Sequence, residues 1–218
     1  MQRTIITTED GSPSIYVEAI DECYHSTHGA RQESEHIFIH TALKQHASRR
    51  LSILEIGFGT GLNALLTCTE ATLHNLDIHY TGVELHPISE NEVQQLLPFT
   101  HPHQDIFLQL HQLPPQVFKP ITSHFCFKRW ETDFTQIQIP ENSVDVIYFD
   151  AFSPDKQPEM WTQERFDMLY RACRPNAILT TYCAKGRVRR ALQQAGFIVE
   201  RLPGPPGKRE ILRAIKKS

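Results

Sequence analysis

Residues 51–63 read LSILEIGFGTGLN, a short apolar run that leads into three closely spaced glycines. The run predicts a buried strand, and Leu62, Leu65 and Leu66 then recur at helical spacing. Glycine permits a tight turn and lets the backbone approach a ligand closely. The stretch therefore predicts a strand, a ligand-binding loop and a helix at the start of an α/β domain.

Strands and helices alternate through the rest of the chain. Further strands are predicted over residues 77–84, 124–130, 144–150 and 177–183, and helices over 88–97, 161–173 and 186–195. Two successive strands, 197–202 and 209–216, close the chain. Alternation of this kind predicts a doubly wound, mostly parallel sheet that is covered on both faces. The closing pair adds an antiparallel edge.

The first 46 residues predict a small β-rich extension, and residues 47–218 a Rossmann-like domain. Two β-prone runs flank a turn at 9–12, and the apolar residues 37–39 predict a third short strand. Residues 41–46 suggest a helix. On a strand, His36 and His40 would lie about 13 Å apart, which does not suit a shared metal ion.

Composition is that of a globular protein, with 40% hydrophobic and 22% charged residues among 218. No apolar run reaches the roughly 18 residues of a membrane span, and the N-terminus lacks a signal-peptide core. The five cysteines are dispersed without a CxxC pair, as in a reduced intracellular protein without a metal site. We therefore expect a cytoplasmic protein.

Charge is distributed unevenly along the chain. The net charge is −3, yet residues 185–218 hold ten Lys or Arg and two Glu, which gives +8 there and −11 elsewhere. A basic segment on an acidic body can form a positive face for a polyanion. The alternative is that solvated helix and strand surfaces happen to be basic.

The glycine spacing bears on the cofactor. The loop reads GxGxG without the GxGxxG of dinucleotide sites, and no GK[ST] follows. Glu84 ends the second strand, where a carboxylate can accept hydrogen bonds from both ribose hydroxyls. NAD and S-adenosylmethionine remain as candidates. Glu55, the glycine spacing and the closing strand pair favour S-adenosylmethionine, which has no pyrophosphate.

Asp133, Asp150 and Phe152 are further candidates for residues of the binding site. Asp133 follows the third strand, where it could meet an adenine, although an ordinary loop aspartate would look the same. Asp150 ends the fourth strand, at the edge where open α/β sheets bind ligands. It could orient or deprotonate a nucleophile, or merely fix its loop. Phe152 could stack on a base, whereas Trp161 is better read as the start of a covering helix.

Four stretches in order resemble a known family. They are Tyr24-His25-Ser26 followed by Gly29, Glu33 and Phe38; LEIGFGTGLN; DVIYFDAFSPDKQPEMW; and TTYCAKGRVRRALQQAGFIVERLPGPPGKREILRA. Together they span roughly residues 24–214. On these motifs the chain resembles the methyltransferase domain of the MnmC family of tRNA 5-methylaminomethyl-2-thiouridine biosynthesis proteins.

The resemblance implies a class I S-adenosylmethionine methyltransferase fold and N-methylation of a tRNA. The acceptor would be the amine of 5-aminomethyl-(2-thio)uridine at the wobble position, with Asp150 as the catalytic residue. The expected cofactor-binding residues are Glu55, Gly57, Gly59, Gly61, Asn63, Glu84, Asp133 and Asp150. The expected substrate-binding residues are Tyr24, Glu33, Phe152, Lys208 and Arg209.

The chain also departs from the familiar pattern. The bifunctional form carries an FAD-dependent oxidoreductase domain that these residues do not encode, so a separate enzyme is expected to supply the aminomethyl group. Gln157 stands where the pattern suggests Asn, and PGPPGK replaces a turn richer in glycine and aromatic residues. Both departures bear on substrate choice.

Other readings remain open from the sequence. One is a class I methyltransferase, or an aminopropyltransferase of the spermidine synthase type, that acts on another amine. A second is a non-catalytic tRNA-binding module, which failure to bind S-adenosylmethionine would support. An NAD-dependent oxidoreductase fits least, because the glycine spacing is wrong.

Overall fold

The computed structural model describes residues 2–217, and an eight-stranded mixed sheet forms its centre. Its strands are β4 (Arg50–Ile56), β5 (Asp77–Glu84), β6 (Lys119–Thr122), β7 (Phe125–Glu131), β8 (Val144–Phe149), β9 (Cys173–Thr181), β10 (Ile198–Pro203) and β11 (Glu210–Ile215). The spatial order is β10-β11-β9-β8-β4-β5-β7-β6. The five strands from β9 to β7 pair in parallel, and the antiparallel pairs lie at the two edges.

Helices cover both faces of this sheet. They are α2 (Leu62–His74), α3 (Glu90–Leu96), α4 (Gln104–Gln112), α5 (Gln163–Ala172) and α6 (Gly186–Ala195). The apolar residues form one buried cluster on each face. All six residues of β8 are buried, because this strand is central and covered on both sides. The predicted doubly wound sheet with an antiparallel closing pair is confirmed.

A second, small sheet lies at the N-terminus. It consists of the antiparallel strands β1 (Arg3–Thr7), β2 (Pro13–Val17) and β3 (Glu22–Cys23). The two predicted β-prone runs are confirmed as β1 and β2.

The strand predicted over residues 37–39 is wrong. Helix α1 (Ala30–Ser34) continues into a π-helical turn, Glu35–His40, which holds all three residues. Ile37, Phe38 and Ile39 are buried in the same cluster as Tyr148 of the central sheet. Three consecutive apolar residues do not distinguish a strand from a helix that is enclosed on several sides. The helix predicted over 41–46 is limited to a 3₁₀ turn, Leu43–Gln45.

Strand β6 was not predicted. It pairs antiparallel with β7 and contains Pro120, which removes a backbone donor and weakens the strand pattern. An edge position tolerates that loss.

The sheet order reverses beside β4. The chain runs from β4 to β5 on one side and returns to β8 on the other, and both neighbours are parallel to β4. Ligands of open α/β sheets bind at the carboxyl ends of the strands that flank such a reversal. The fold therefore predicts a ligand-binding site at the residues after Ile56, Val83 and Phe149. Among residues 2–217, no helix is both long and apolar enough to cross a bilayer.

Candidate active site

The glycine-rich loop joins β4 to α2 at this reversal. Gly57 and Gly59 have φ of +89° and +52°, which side chains rarely adopt. A Cβ atom on Gly57 would lie 2.5 Å from the carbonyl oxygen of Asp150, and one on Gly59 would lie 2.7 Å from the ring of Tyr24. The two glycines thus let the loop pack directly against the end of β8 and against the N-terminal segment.

A cavity of about 590 Å³ opens beside the loop. Its wall combines the ends of β4, β5 and β8 with Tyr24–Thr27 and with residues after β7 and β9. The predicted site residues that line it are Tyr24, Glu33, Gly57, Gly59, Glu84, Asp133, Asp150, Phe152 and Lys208. The fold therefore brings residues from across the chain to one concave surface.

Two carboxylates at one end of the cavity are fixed by backbone amides. Glu84 accepts hydrogen bonds from Gly59 N at 2.9 Å and from His86 N at 2.8 Å. Asp133 Oδ1 accepts from both the amide and the hydroxyl of Thr135, each at 2.8 Å. Since one oxygen of Asp133 makes both bonds, the other stays available to a ligand.

Asp150 is held by a chain of buried polar groups. Asn63 Nδ2 donates to Asp150 Oδ2 at 2.9 Å and to Glu55 Oε1 at 2.8 Å. Asn63 and Glu55 are 2% and 0% exposed, and neither lines the cavity. Burial raises the pKa of Glu55 well above its usual value, which favours the neutral acid. Asn63 therefore orients Asp150 from behind the cavity wall.

Asp150 has an unusual proton affinity. Burial, followed by the nearby charge of Glu33, raises its pKa to about 7, while Asn63 and Lys208 act in the opposite direction. A carboxylate whose pKa lies near neutrality can exchange a proton with a ligand in the physiological range.

A cation and an aromatic ring complete the wall near Asp150. Lys208 Nζ lies 3.1 Å from Glu33 Oε1 and 4.8 Å from the centre of the Tyr182 ring. The Tyr182 hydroxyl donates to the carbonyl of Ala151 at 2.9 Å. Tyr182 was missed from the sequence as a site residue, although it lies inside one of the motifs.

The N-terminal segment forms the outer wall. The rings of Tyr24 and Phe152 meet edge to face at 5.1 Å. Glu22 also lines the cavity, and its carboxylate accepts from the Ser153 amide at 3.3 Å and the Ser153 hydroxyl at 3.2 Å. Nothing in the sequence pattern identified Glu22, because it belongs to a strand of only two residues.

Four of the predicted site residues do not line the cavity. Glu55 and Asn63 are behind Asp150, and Gly61 begins α2. Arg209 is exposed on the closing hairpin. Trp161 is buried, 4.7 Å from the Phe149 ring. It ends a 3₁₀ turn (Pro158–Trp161), and the prediction that it starts the covering helix is wrong, because α5 begins at Gln163. Its indole donates to the carbonyl of Phe152 at 2.8 Å, which fixes the loop after Asp150.

The basic C-terminal segment is partly neutralised within the protein. Lys185 and Arg187 both pair with Asp155, and Arg213 pairs with Glu200. In the part of the chain between residues 2 and 217, no group of three or more His, Cys, Asp or Glu side chains is placed to hold a metal ion.

Comparison with known proteins gives the family context. Residues 123–217 match the family described as S-adenosyl-L-methionine-dependent methyltransferase. The chain is 31% identical over 94% of its length to the tRNA 5-methylaminomethyl-2-thiouridine biosynthesis bifunctional protein MnmC of Pseudoalteromonas atlantica, and 32% identical over 88% to that of Aeromonas hydrophila. It spans about a third of each relative, 32% in both cases.

Solved structures share the fold. The crystal structure of MnmC2 from Aquifex aeolicus has a TM-score of 0.81 at 24% identity and covers 98% of this chain and 70% of its own. Spermidine synthase from Thermotoga maritima has a TM-score of 0.62 at 13% identity, with 99% and 69% covered. The chain therefore has the fold of S-adenosylmethionine-dependent methyltransferases, and the predicted likeness to the methyltransferase part of MnmC is confirmed.

Proposed function

We propose that this chain, a relative of the methyltransferase part of MnmC, transfers a methyl group from S-adenosylmethionine to the amine of 5-aminomethyl-(2-thio)uridine at the wobble position of tRNA. The observation that carries the proposal is the position of Asp150. It directly follows β8 at the reversal of the sheet, lines a cavity of about 590 Å³ and is oriented by Asn63.

The cavity suits S-adenosylmethionine. At one end the Glu84 carboxylate, held by two amides, is placed to accept hydrogen bonds from ribose hydroxyls. The free oxygen of Asp133 is available to an adenine amino group. Gly57 and Gly59 line the cavity, and their backbone, which packs against Asp150 and Tyr24, is placed beside the amino-acid part of the cofactor. When bound, the cofactor supplies an electrophilic methyl group whose bond to sulfur breaks as the amine nitrogen bonds to it.

The residues around Asp150 suit an amine acceptor. An alkylamine is mostly protonated near pH 7, and only its neutral form has a lone pair to donate. Asp150 can accept a hydrogen bond or a proton from that nitrogen and stabilise the cation that develops on it. Glu22, on the same wall, favours a group that is positive or becomes so, whereas the charge of Glu33 is paired with that of Lys208. The carboxymethylated form of the nucleoside would bring a carboxylate close to Asp150 and Glu22 and should be disfavoured.

The base and the tRNA backbone would use other surfaces. The Tyr24–Phe152 ring pair at the outer wall is suited to stack on a flipped uridine. The basic segment from residue 185 would contact phosphates, so we expect affinity for tRNA to fall steeply with salt. We expect a separate active site to supply the aminomethyl group.

The experiment is methyl transfer from labelled S-adenosylmethionine to tRNA that bears 5-aminomethyluridine. The same tRNA with carboxymethylaminomethyluridine is the matched control, and putrescine with decarboxylated S-adenosylmethionine tests aminopropyl transfer. We expect label in the aminomethyl tRNA alone. Label in the control tRNA would remove the proposed discrimination, and reaction with putrescine alone would replace the proposed function.

A further inference from the structure

Glu33 and Lys208 meet in the cavity wall although 175 positions separate them in the chain. Lys208 Nζ lies 3.1 Å from Glu33 Oε1, and the side chains are 27% and 9% exposed. The other carboxylate oxygen of Glu33 accepts from Ser26 N at 2.7 Å. The pair thus links the N-terminal extension to the loop between β10 and β11.

Tyr182 connects Lys208 to the loop that contains Asp150. The Lys208 ammonium lies over the Tyr182 ring, a contact that attracts a cation to the π face. The hydroxyl of the same ring donates to the carbonyl of Ala151, the residue after Asp150. The position of the cation relative to Asp150 is therefore set by two contacts and does not depend on Glu33 alone.

The charge of Lys208 affects the protonation of Asp150. Five side chains from different parts of the fold interact with the Asp150 carboxylate by a hydrogen bond or through its charge: Asn63, Glu33, Lys208, Tyr80 and Tyr182. Glu55, behind Asn63, favours its neutral form and contributes little charge. Glu33 repels the ionised form of Asp150, and Lys208 is the cation that opposes this effect. Without Lys208, the charge of Glu33 would act on Asp150 with no neighbouring lysine to oppose it.

We propose that Lys208 is a positioning residue that offsets the charge of Glu33, so that Asp150 meets the incoming amine as a carboxylate. Glu33 holds the Lys208 ammonium at the cavity wall. Lys208 in turn offsets the charge of Glu33, which would otherwise favour the protonated form of Asp150. This role rests on the function proposed above, because it matters only if Asp150 receives an amine.

The role predicts opposite effects for the two partners. Lys208→Met should move the acid limb of the pH–rate profile to higher pH by on the order of one unit, since a cation is lost. Glu33→Gln should move it to lower pH, since a like charge is lost. Lys208→Arg keeps the charge and should stay near the wild type, and Lys208→Met with Glu33→Gln should largely cancel.

Lys216→Met is the matched control. Lys216 also lies 4.8 Å from an aromatic ring, that of Tyr170, but it follows β11, at the opposite end of that strand from Lys208. Its loss should not move the acid limb. A second readout is the carboxyl ¹³C titration of Asp150 in the unliganded protein, assigned with Asp150→Asn, which should shift in the same directions as the rate profile.

The outcomes separate this inference from the proposed function. If the wild type methylates the aminomethyl tRNA but both variants shift the titration in one direction, or neither shifts it, the charge-offset role is refuted. If the wild type does not methylate that tRNA, the proposed function fails, while the ¹³C titration still decides whether Lys208 and Glu33 oppose one another at Asp150.

Discussion

Replacing Asp150 with Asn should make the protein inactive and more stable. Ionised Asp150 is disfavoured in the folded protein, where burial and Glu33 raise its pKa from 3.8 to about 7. In the unfolded chain the same group is ionised above about pH 4. The unfolded state therefore binds fewer protons between these two values, and the stability of the wild type falls as the pH rises from about 4 to 7.

The size of the effect follows from the same difference. Each pH unit between the two pKa values corresponds to about 1.4 kcal/mol, so the cost above pH 7 is at most about 4 kcal/mol. Asp150 is partly accessible from the cavity, and we expect a measured gain of about 1–3 kcal/mol for Asp150→Asn at pH 8. The gain should shrink to near zero at pH 4.

Urea unfolding of both proteins at pH 4, 6 and 8 measures this directly. Asp145 provides the control, since it lies on β8, the strand that Asp150 follows, and is 8% exposed. Its carboxylate accepts from Ser52 N at 2.7 Å and pairs with Arg174 at 2.6 Å. Asp145→Asn weakens these charged contacts and should cost about 1–2 kcal/mol at pH 8. A pH-independent difference, or Asp150→Asn less stable than the wild type at pH 8, would show that ionised Asp150 does not destabilise the folded protein.

Three further substitutions probe the cofactor site and the core. Glu84→Gln should weaken binding of S-adenosylhomocysteine, measured by calorimetry, at least tenfold, because charge-assisted hydrogen bonds contribute about 1.5–3 kcal/mol each. The control is Glu159→Gln, at an exposed residue of the same cavity. Equal effects of the two substitutions would argue against a hydrogen bond from Glu84 to the ribose. Gly57→Ala should abolish that binding and lower the Tm, because its Cβ would meet the Asp150 carbonyl at 2.5 Å; a variant with wild-type affinity would contradict the close approach. Thr180→Val should keep or raise the Tm, since the buried Thr180 hydroxyl has no hydrogen-bond partner within the described chain; a fall of several degrees would count against that geometry.

Much of the fold was predictable because its strands are buried on both faces. The apolar runs of β4 and β8 end in Gly57 and Asp150, and parallel pairing at a sheet reversal then places these ends together. The failures lie where packing overrides local pattern. Residues 37–39 are helical because they are wedged against the sheet, and β6 forms in spite of Pro120 because it lies at an edge.

The site was predictable only in part, for a similar reason. Glu84 and Asp150 could be placed because the first ends a strand and the second directly follows one. The positions of Asn63 and Glu55 behind Asp150 depend on side-chain packing between α2 and β4, which no spacing encodes. Glu22 and Tyr182 reach the cavity through the docking of the N-terminal sheet and of the segment after β9. These contacts are long-range, and a single sequence does not reveal them.

In the proposed reaction Asp150 receives the amine of a modified uridine. Mass spectrometry of nucleosides from aminomethyl tRNA, incubated with the protein and S-adenosylmethionine that carries a deuterated methyl group, tests it most directly. We expect the label in 5-methylaminomethyl-(2-thio)uridine, and at least a hundredfold less of it with Asp150→Asn even though that variant still binds S-adenosylhomocysteine. Label on a ribose or on another base, or full activity of Asp150→Asn, would contradict the proposed reaction.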